Sequence, residues 1–137
     1  MGGIETVRLL LDTHIWLWSL LEPNRLKKRV AIELEKPSNE LWLSPISIWE
    51  MLILVEKGRI LLDRHPEEWV RNVFRKVPFK EAPLNHEVAI KSRALDLSHN
   101  DPADRFLAAT ACVYDLILVT ADERMVHSTD INILPNL

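Results

Sequence analysis

The run Val7-Arg8-Leu9-Leu10-Leu11-Asp12 is short, mostly apolar and closed by a carboxylate. Apolar runs without alternation are covered on both faces, the environment of a strand in a parallel sheet. Leu41-Trp42-Leu43-Ser44 and Leu116-Ile117-Leu118-Val119-Thr120 share that character. Ala82-Pro83-Leu84 reads as a weak strand between them, and Ile131-Asn132-Ile133-Leu134 closes the chain. The intervals are helical in pattern. Ile15 to Leu21 predicts a short helix that stops before Pro23. Asn24 to Lys36 predicts a second, with Leu26, Val30 and Leu34 at four-residue spacing and Pro37 beyond its end. Ser47 to Lys57 is a helix ended by Gly58, and Pro66 to Lys76 opens on Glu67 and Glu68. Helices from about Asn85 to Leu95 and from Pro102 to Tyr114 follow. This alternation predicts an α/β domain with a mainly parallel sheet and helices on both faces. Right-handed crossovers set the strand C-terminal ends along one edge, where such sheets bind ligands.

The 137 residues amount to one domain, 1–137, with residues 1–6 expected to be a disordered N-terminal segment. A chain of this length buries about 68% of its unfolded surface, enough for a core without covalent staples. A composition 47% hydrophobic and 27% charged excludes disordered and fibrous classes. The single cysteine, Cys112, excludes a disulfide framework and a cysteine-based zinc cluster. No apolar run approaches the ~18 residues of a membrane span, and no signal sequence is visible, so a cytoplasmic protein is expected. Met1 to Thr6 formally fits a myristoylation pattern, a match too common to carry weight. The net charge of −3 argues against a broad basic face for nucleic acid. Carboxylates gathered around a metal would lower the formal charge in the same way while the ion restored positive potential locally.

The acids fall at the strand ends. Asp12 closes the first strand, Glu50 lies one turn into the helix after the second, and Asp122 follows Thr120 by two. Asp104, with Asp101 before it, opens the helix leading into the fourth strand. Each has a bland explanation. Ser47-Ile48-Trp49-Glu50 reads as a capping box, and Asp101-Pro102-Ala103-Asp104 as a cap with proline at N1. Asp12 and Asp122 each precede a helix that they would cap. Caps, however, need not share one edge of one sheet, and these acids do so by topology. Carboxylates ~5 Å apart repel by roughly 3 kcal/mol per pair at an effective dielectric of 20. Such a cluster takes up protons or binds a cation. Oxygen-only donors suit Mg²⁺ or Mn²⁺ rather than zinc, and these ions support in-line attack on phosphate.

Other residues carry less. His14, His65, His86, His99 and His127 show no ligand spacing and read as surface or structural. Trp16, Trp18, Trp42, Trp49 and Trp69 suit core or subunit contacts, and Lys27-Lys28-Arg29 a solvated helix face. Arg105, beside Asp104, is placed to reach a phosphate or to pair with an acid. No Walker loop, G-x-G-x-x-G or G-x-S-x-G occurs.

Four stretches together resemble the PIN-domain ribonucleases, and among them the VapC-like toxins of prokaryotic type II toxin–antitoxin pairs. They are Leu-Leu-Leu-Asp-Thr-His (9–14), Ser-Pro-Ile-Ser-Ile-Trp-Glu (44–50), Asp-Pro-Ala-Asp-Arg-Phe-Leu-Ala-Ala-Thr-Ala (101–111) and Leu-Val-Thr-Ala-Asp (118–122). Each is weak alone; in this order they span nearly the whole chain. The resemblance implies a three-layer α/β/α sandwich on a mainly parallel sheet of four to five strands. It implies a Mg²⁺- or Mn²⁺-dependent endoribonuclease, a homodimer, and a small antitoxin that blocks the active site. By position, Asp12, Glu50 and Asp104 match the family's core acids and Asp122 the more variable fourth. Asp12 and Asp104 would be direct ligands, and Glu50 and Asp122 direct or water-mediated ones. Thr120 matches a hydroxyl lining the pocket, Arg105 is a phosphate contact, and Asp101 is a candidate supplementary ligand. Two alternatives stay open at this point: a nuclease acting on another nucleic acid such as DNA, and a non-catalytic interaction module.

Overall fold

A computed structural model describes residues 6–97, 100–128 and 130–137. The start motif, nearly all of the segment 1–6 and His99 lie outside the described residues. Five strands alternate with helices: β1 (Arg8–Leu11), α1 (Thr13–Leu21), α2 (Lys28–Glu35), β2 (Glu40–Leu43), α3 (Pro45–Glu56), α4 (Pro66–Lys76), β3 (Lys80–Glu81), α5 (His86–Ala94), α6 (Pro102–Tyr114), β4 (Ile117–Thr120), α7 (Glu123–Val126) and β5 (Asn132–Pro135). The sheet is parallel throughout, in the order β3-β2-β1-β4-β5.

The opening apolar run is the centre of this sheet. Leu9 and Leu11 point to one face with Val119 and Leu43, under α1, α2, α3 and α4 through Ile15, Trp16, Val30, Met51 and Val70. Leu10 and Leu118 point to the other, under α5 and α6 through Val88, Leu107 and Ala108. A strand buried on both faces cannot alternate apolar with polar, so Leu9, Leu10 and Leu11 are all 1% exposed or less. Truncating any of them to alanine would cost about 2–5 kcal/mol. The result is a three-layer sandwich.

Three local expectations are corrected. The helix expected over Asn24–Lys36 is broken: Pro23–Arg25 is a single 3-10 turn, Leu26 and Lys27 are extended, and α2 begins at Lys28. The break is imposed from the far end of the chain. The buried Asn136 side chain accepts from Lys27 N–H at 2.6 Å and donates to Arg25 C=O at 3.0 Å. The weak strand expected at 82–84 forms at Lys80–Glu81 instead, because Pro83 has no N–H to extend the ladder beyond Ala82, whose N–H reaches Leu43 C=O. The cap of α3 is Ser44, which accepts from Ile46 N–H with Pro45 at N1; Glu50 is therefore not the N3 partner of a capping box at Ser47.

Candidate active site

Chain order reverses between β1 and β4: β2 and β3 follow on one side of β1, β4 and β5 on the other. Crossovers of one hand then place their helices on opposite faces, leaving a crevice at the C-terminal ends of β1 and β4. The acids meet there. An open pocket of about 450 Å³ is lined by Asp12, Glu50, Asp101, Asp104 and Asp122, with His14, Trp18, Arg25, Ala121 and Arg124.

Register fixes the first contact. Leu11 pairs with Val119, so Asp12 stands beside Thr120. The fully buried Thr120 hydroxyl donates to Asp12 Oδ2 at 2.7 Å and accepts from Asp122 N–H at 3.1 Å, tying the two strand ends together. Asp12 Oδ1 accepts from Thr13 N–H at 2.7 Å, capping α1. Glu50 projects from α3 toward the Thr13 hydroxyl, which also contacts Ser47 Oγ at 2.9 Å. A hydroxyl has one proton, so Thr13 donates to the carboxylate and Ser47 donates to Thr13. Asp101 caps α6 by accepting from Asp104 N–H at 3.1 Å, which fixes the first turn carrying Asp104. Asp122 caps α7, accepting from Arg124 N–H at 2.9 Å. Asp12, Asp101 and Asp122 are thus caps and pocket carboxylates at once, and α1, α6 and α7 turn their positive ends toward the cluster.

Burial pushes the Asp12 carboxyl above the ordinary carboxylate range, opposed chiefly by the Thr120 hydrogen bond and assisted by the Asp122 charge. Glu50 is pushed the same way by burial and by Asp12 and Asp101, against its Thr13 bond. Burial and like charge disfavour the charged forms of crowded acids in this manner.

The sequence reading is corrected at two residues. Arg105 is 5% exposed, and its guanidinium donates to Ser92 C=O at 2.8 Å and Leu95 C=O at 2.7 Å; it ties α6 to the end of α5 and does not reach the pocket. Thr120 sits behind Asp12, with no surface for substrate. Arg124 is a cation that touches the acids, and Arg25 lines the same pocket. Arg124 holds Asp122 through two nitrogens, Nε at 3.1 Å and Nη2 at 2.8 Å, and reaches Asp104 Oδ2 at 3.4 Å. Its signal in the sequence is the spacing Asp122-x-Arg124 after a strand. Thr13, Ser47, His14, Trp18 and Arg25 were also missed as site residues. Of the tryptophans, Trp16 and Trp69 are core, whereas Trp49 is 55% exposed.

The donor set suits a hard divalent cation: carboxylate oxygens from four chain segments, with no cysteine or close histidine pair among them. Among the described residues, no three such side chains stand in chelating positions as they are. One cation already lies across two of the acids, the Arg124 guanidinium.

A family model described as PIN domain matches residues 9–130. Ribonuclease VapC22 of Mycobacterium tuberculosis (strain ATCC 25618 / H37Rv) is 34% identical over 118 residues, covering 85% of this chain and 88% of that protein. VapBC2 from Rickettsia felis, solved bound to a DNA fragment from the VapBC2 promoter, matches with a TM-score of 0.70 at 13% identity, covering 94% of this chain and 98% of that one. A toxin–antitoxin complex from Klebsiella pneumoniae matches at 0.67 and 21% identity, with the same coverage. At these identities the two structures speak for the fold.

Proposed function

The chain belongs to the PIN-domain family, and from that premise we propose that it is a divalent-metal-dependent endoribonuclease, the toxin of a toxin–antitoxin pair. The observation that carries the reading is the meeting of Asp12, Glu50, Asp104 and Asp122 at the β1/β4 crevice. The relative named a ribonuclease supports RNA as substrate. Asp12 and Asp104 would hold Mg²⁺ or Mn²⁺, with Glu50 and Asp122 completing the site directly or through water and Asp101 a supplementary ligand. When bound, the ion supplies an attacking water of lowered pKa and charge to stabilise the departing oxygen.

The chain's own residues do the rest. Thr120 orients Asp12 and sets its distance from Asp122. Thr13, backed by Ser47, holds Glu50 toward the pocket. Burial raises the Asp12 and Glu50 carboxyls above their ordinary range, and a bound cation would favour their charged forms. Arg124 is placed to leave the acids and take a phosphate oxygen. No serine, cysteine or histidine nucleophile is required.

A cognate antitoxin is proposed from the kinship with toxin–antitoxin complexes. Exposed Trp49, Leu52 and Phe74, which line an apolar groove of about 430 Å³ between α3 and α4, support a protein partner. A homodimer and a cytoplasmic setting, where RNA substrates are found, belong to the same reading; no helix among the described residues is long and apolar enough to cross a membrane. The test is cleavage of a structured RNA pool in Mn²⁺, with chelator and Asp104→Asn as controls and a matched DNA strand beside it. RNA cutting lost in both controls is the expected result. Equal cutting by wild type and variant overturns the site, and cutting of DNA alone overturns the substrate.

A further inference from the structure

The acid pocket does not end at the acids. A second open pocket, of about 540 Å³, is lined by His14, Trp18 and Arg25 as well, so it adjoins the acid pocket along those three side chains. Resting on the ribonuclease reading above, we propose that this groove is the subsite for the single-stranded RNA segment flanking the cut. Phosphates would sit on Arg25 and Arg59, and a base against the His14 and Trp18 rings.

The helix α1 builds one wall. Asp12 caps it, and His14 and Trp18 follow one turn apart, their ring centroids 5.9 Å from each other. Six residues of helix span about 9 Å, which sets the Trp18 ring beside the reacting phosphate rather than on it. Arg25 lies over Trp18 with its guanidinium carbon 4.2 Å from the ring centroid. Stacking fixes the guanidinium plane and leaves its edge nitrogens to meet an anion. The backbone beneath is held as well, since Asn136 grips Arg25 C=O from the buried end of the chain. The broken helix thus has a consequence: a continuous helix from Asn24 would not present Arg25 from this clamped turn.

The opposite wall carries Arg59. Gly58 adopts φ +70°, a conformation that favours glycine, and it turns the chain sharply after α3. Arg59 N–H then bonds back to Leu54 C=O at 2.9 Å, and the exposed side chain joins the groove. Glu22 is the acid in this stretch; it pairs with Arg25 at 3.2 Å, both side chains being more than half exposed. An exposed pair of this kind is weak enough to yield to phosphate. Leu17, Leu21, Leu54, Ile60 and Leu61 complete an otherwise aliphatic lining, and the two arginines and two rings beside the acid pocket supply the contacts of single-strand recognition.

The test is binding, not cutting. A fluorescein-labelled, unstructured 12-nucleotide RNA is titrated with the full chain in chelator across a salt series. Arg25→Gln and Arg59→Gln should each weaken binding about tenfold and flatten the log–log salt slope by about 0.7, one phosphate contact each. Trp18→Leu should weaken binding about tenfold while leaving that slope nearly unchanged, because stacking releases no counterions. Arg71→Gln on α4 should change neither. Thermal melts and Mn²⁺ binding confirm that each variant keeps its fold and its acids. Wild-type RNA binding with unchanged affinity and slope in all three groove variants overturns the inference, and the groove then falls to a protein partner. If wild type neither binds nor cuts RNA, the ribonuclease reading fails first.

Discussion

Replacing Thr120 by valine should destabilise the metal-free protein, and by an amount that grows with pH. Valine keeps the shape of a fully buried side chain but neither of its hydrogen bonds. Asp12 Oδ2 would lose a donor to its charged form, a loss of about 1.5–3 kcal/mol. Asp122 N–H would lose its acceptor, about 1 kcal/mol more. The deficit at pH 8 should therefore be about 3 kcal/mol.

Its pH dependence carries the argument. Burial already raises the Asp12 pKa above its ordinary 3.8, and the Thr120 bond is the largest influence opposing that rise. Without it the folded-state pKa climbs further. A raised acid holds its proton when folded over a range where the unfolded chain has released it, so stability falls as pH rises through that range. In Thr120→Val the fall continues to higher pH. As pH falls Asp12 takes up its proton in both proteins, and the deficit should shrink toward about 1 kcal/mol, the lost Asp122 bond. Urea unfolding in chelator at pH 4.5 and pH 8 measures both values. Thr120→Ser keeps the hydroxyl and loses one methyl, so its cost should be about 0.8 kcal/mol and independent of pH. A valine deficit equal at the two pH values, or larger in acid, would refute this account of Asp12.

Arg124→Ala should bind Mn²⁺ about three- to tenfold more tightly by calorimetry, since two partly exposed ion pairs no longer have to be broken; unchanged affinity would mean that Arg124 does not contest the site. Arg105→Ala should lower stability by about 2–4 kcal/mol through its buried bonds to the end of α5, while the folded fraction cleaves RNA at the wild-type rate. A cleavage defect without a stability defect would return Arg105 to the site. Asp115 caps α6 at φ 54°, so Asp115→Gly should be neutral or stabilise by up to about 1 kcal/mol in thermal melts.

How much of this was legible in the sequence follows from the range of the forces involved. Elements fixed by their own pattern were readable: the apolar run at Leu9–Leu11, the proline-headed helices α4 and α6, the strand at Ile117–Thr120. Elements fixed by distant partners were not. Nothing within Asn24–Lys36 announces that Asn136 will break it. The site divides in the same way. Alternating strands and helices put the acids on one edge, but only the strand order, with its reversal between β1 and β4, brings Asp12 beside Asp122. Arg105 was misread because adjacency on a helix is not proximity: neighbours there point about 100° apart. Asp104 consequently faces the pocket while Arg105 faces α5. The rivalry between caps and ligands was also an artefact of reading residues singly. A capping carboxylate spends one lone pair on an N–H and keeps the rest. Parallel strands feeding right-handed crossovers begin their helices at the same edge where their carboxyl ends lie. Caps and clusters therefore coincide at a switch point, and an acid that caps there is held in the position a cation would need.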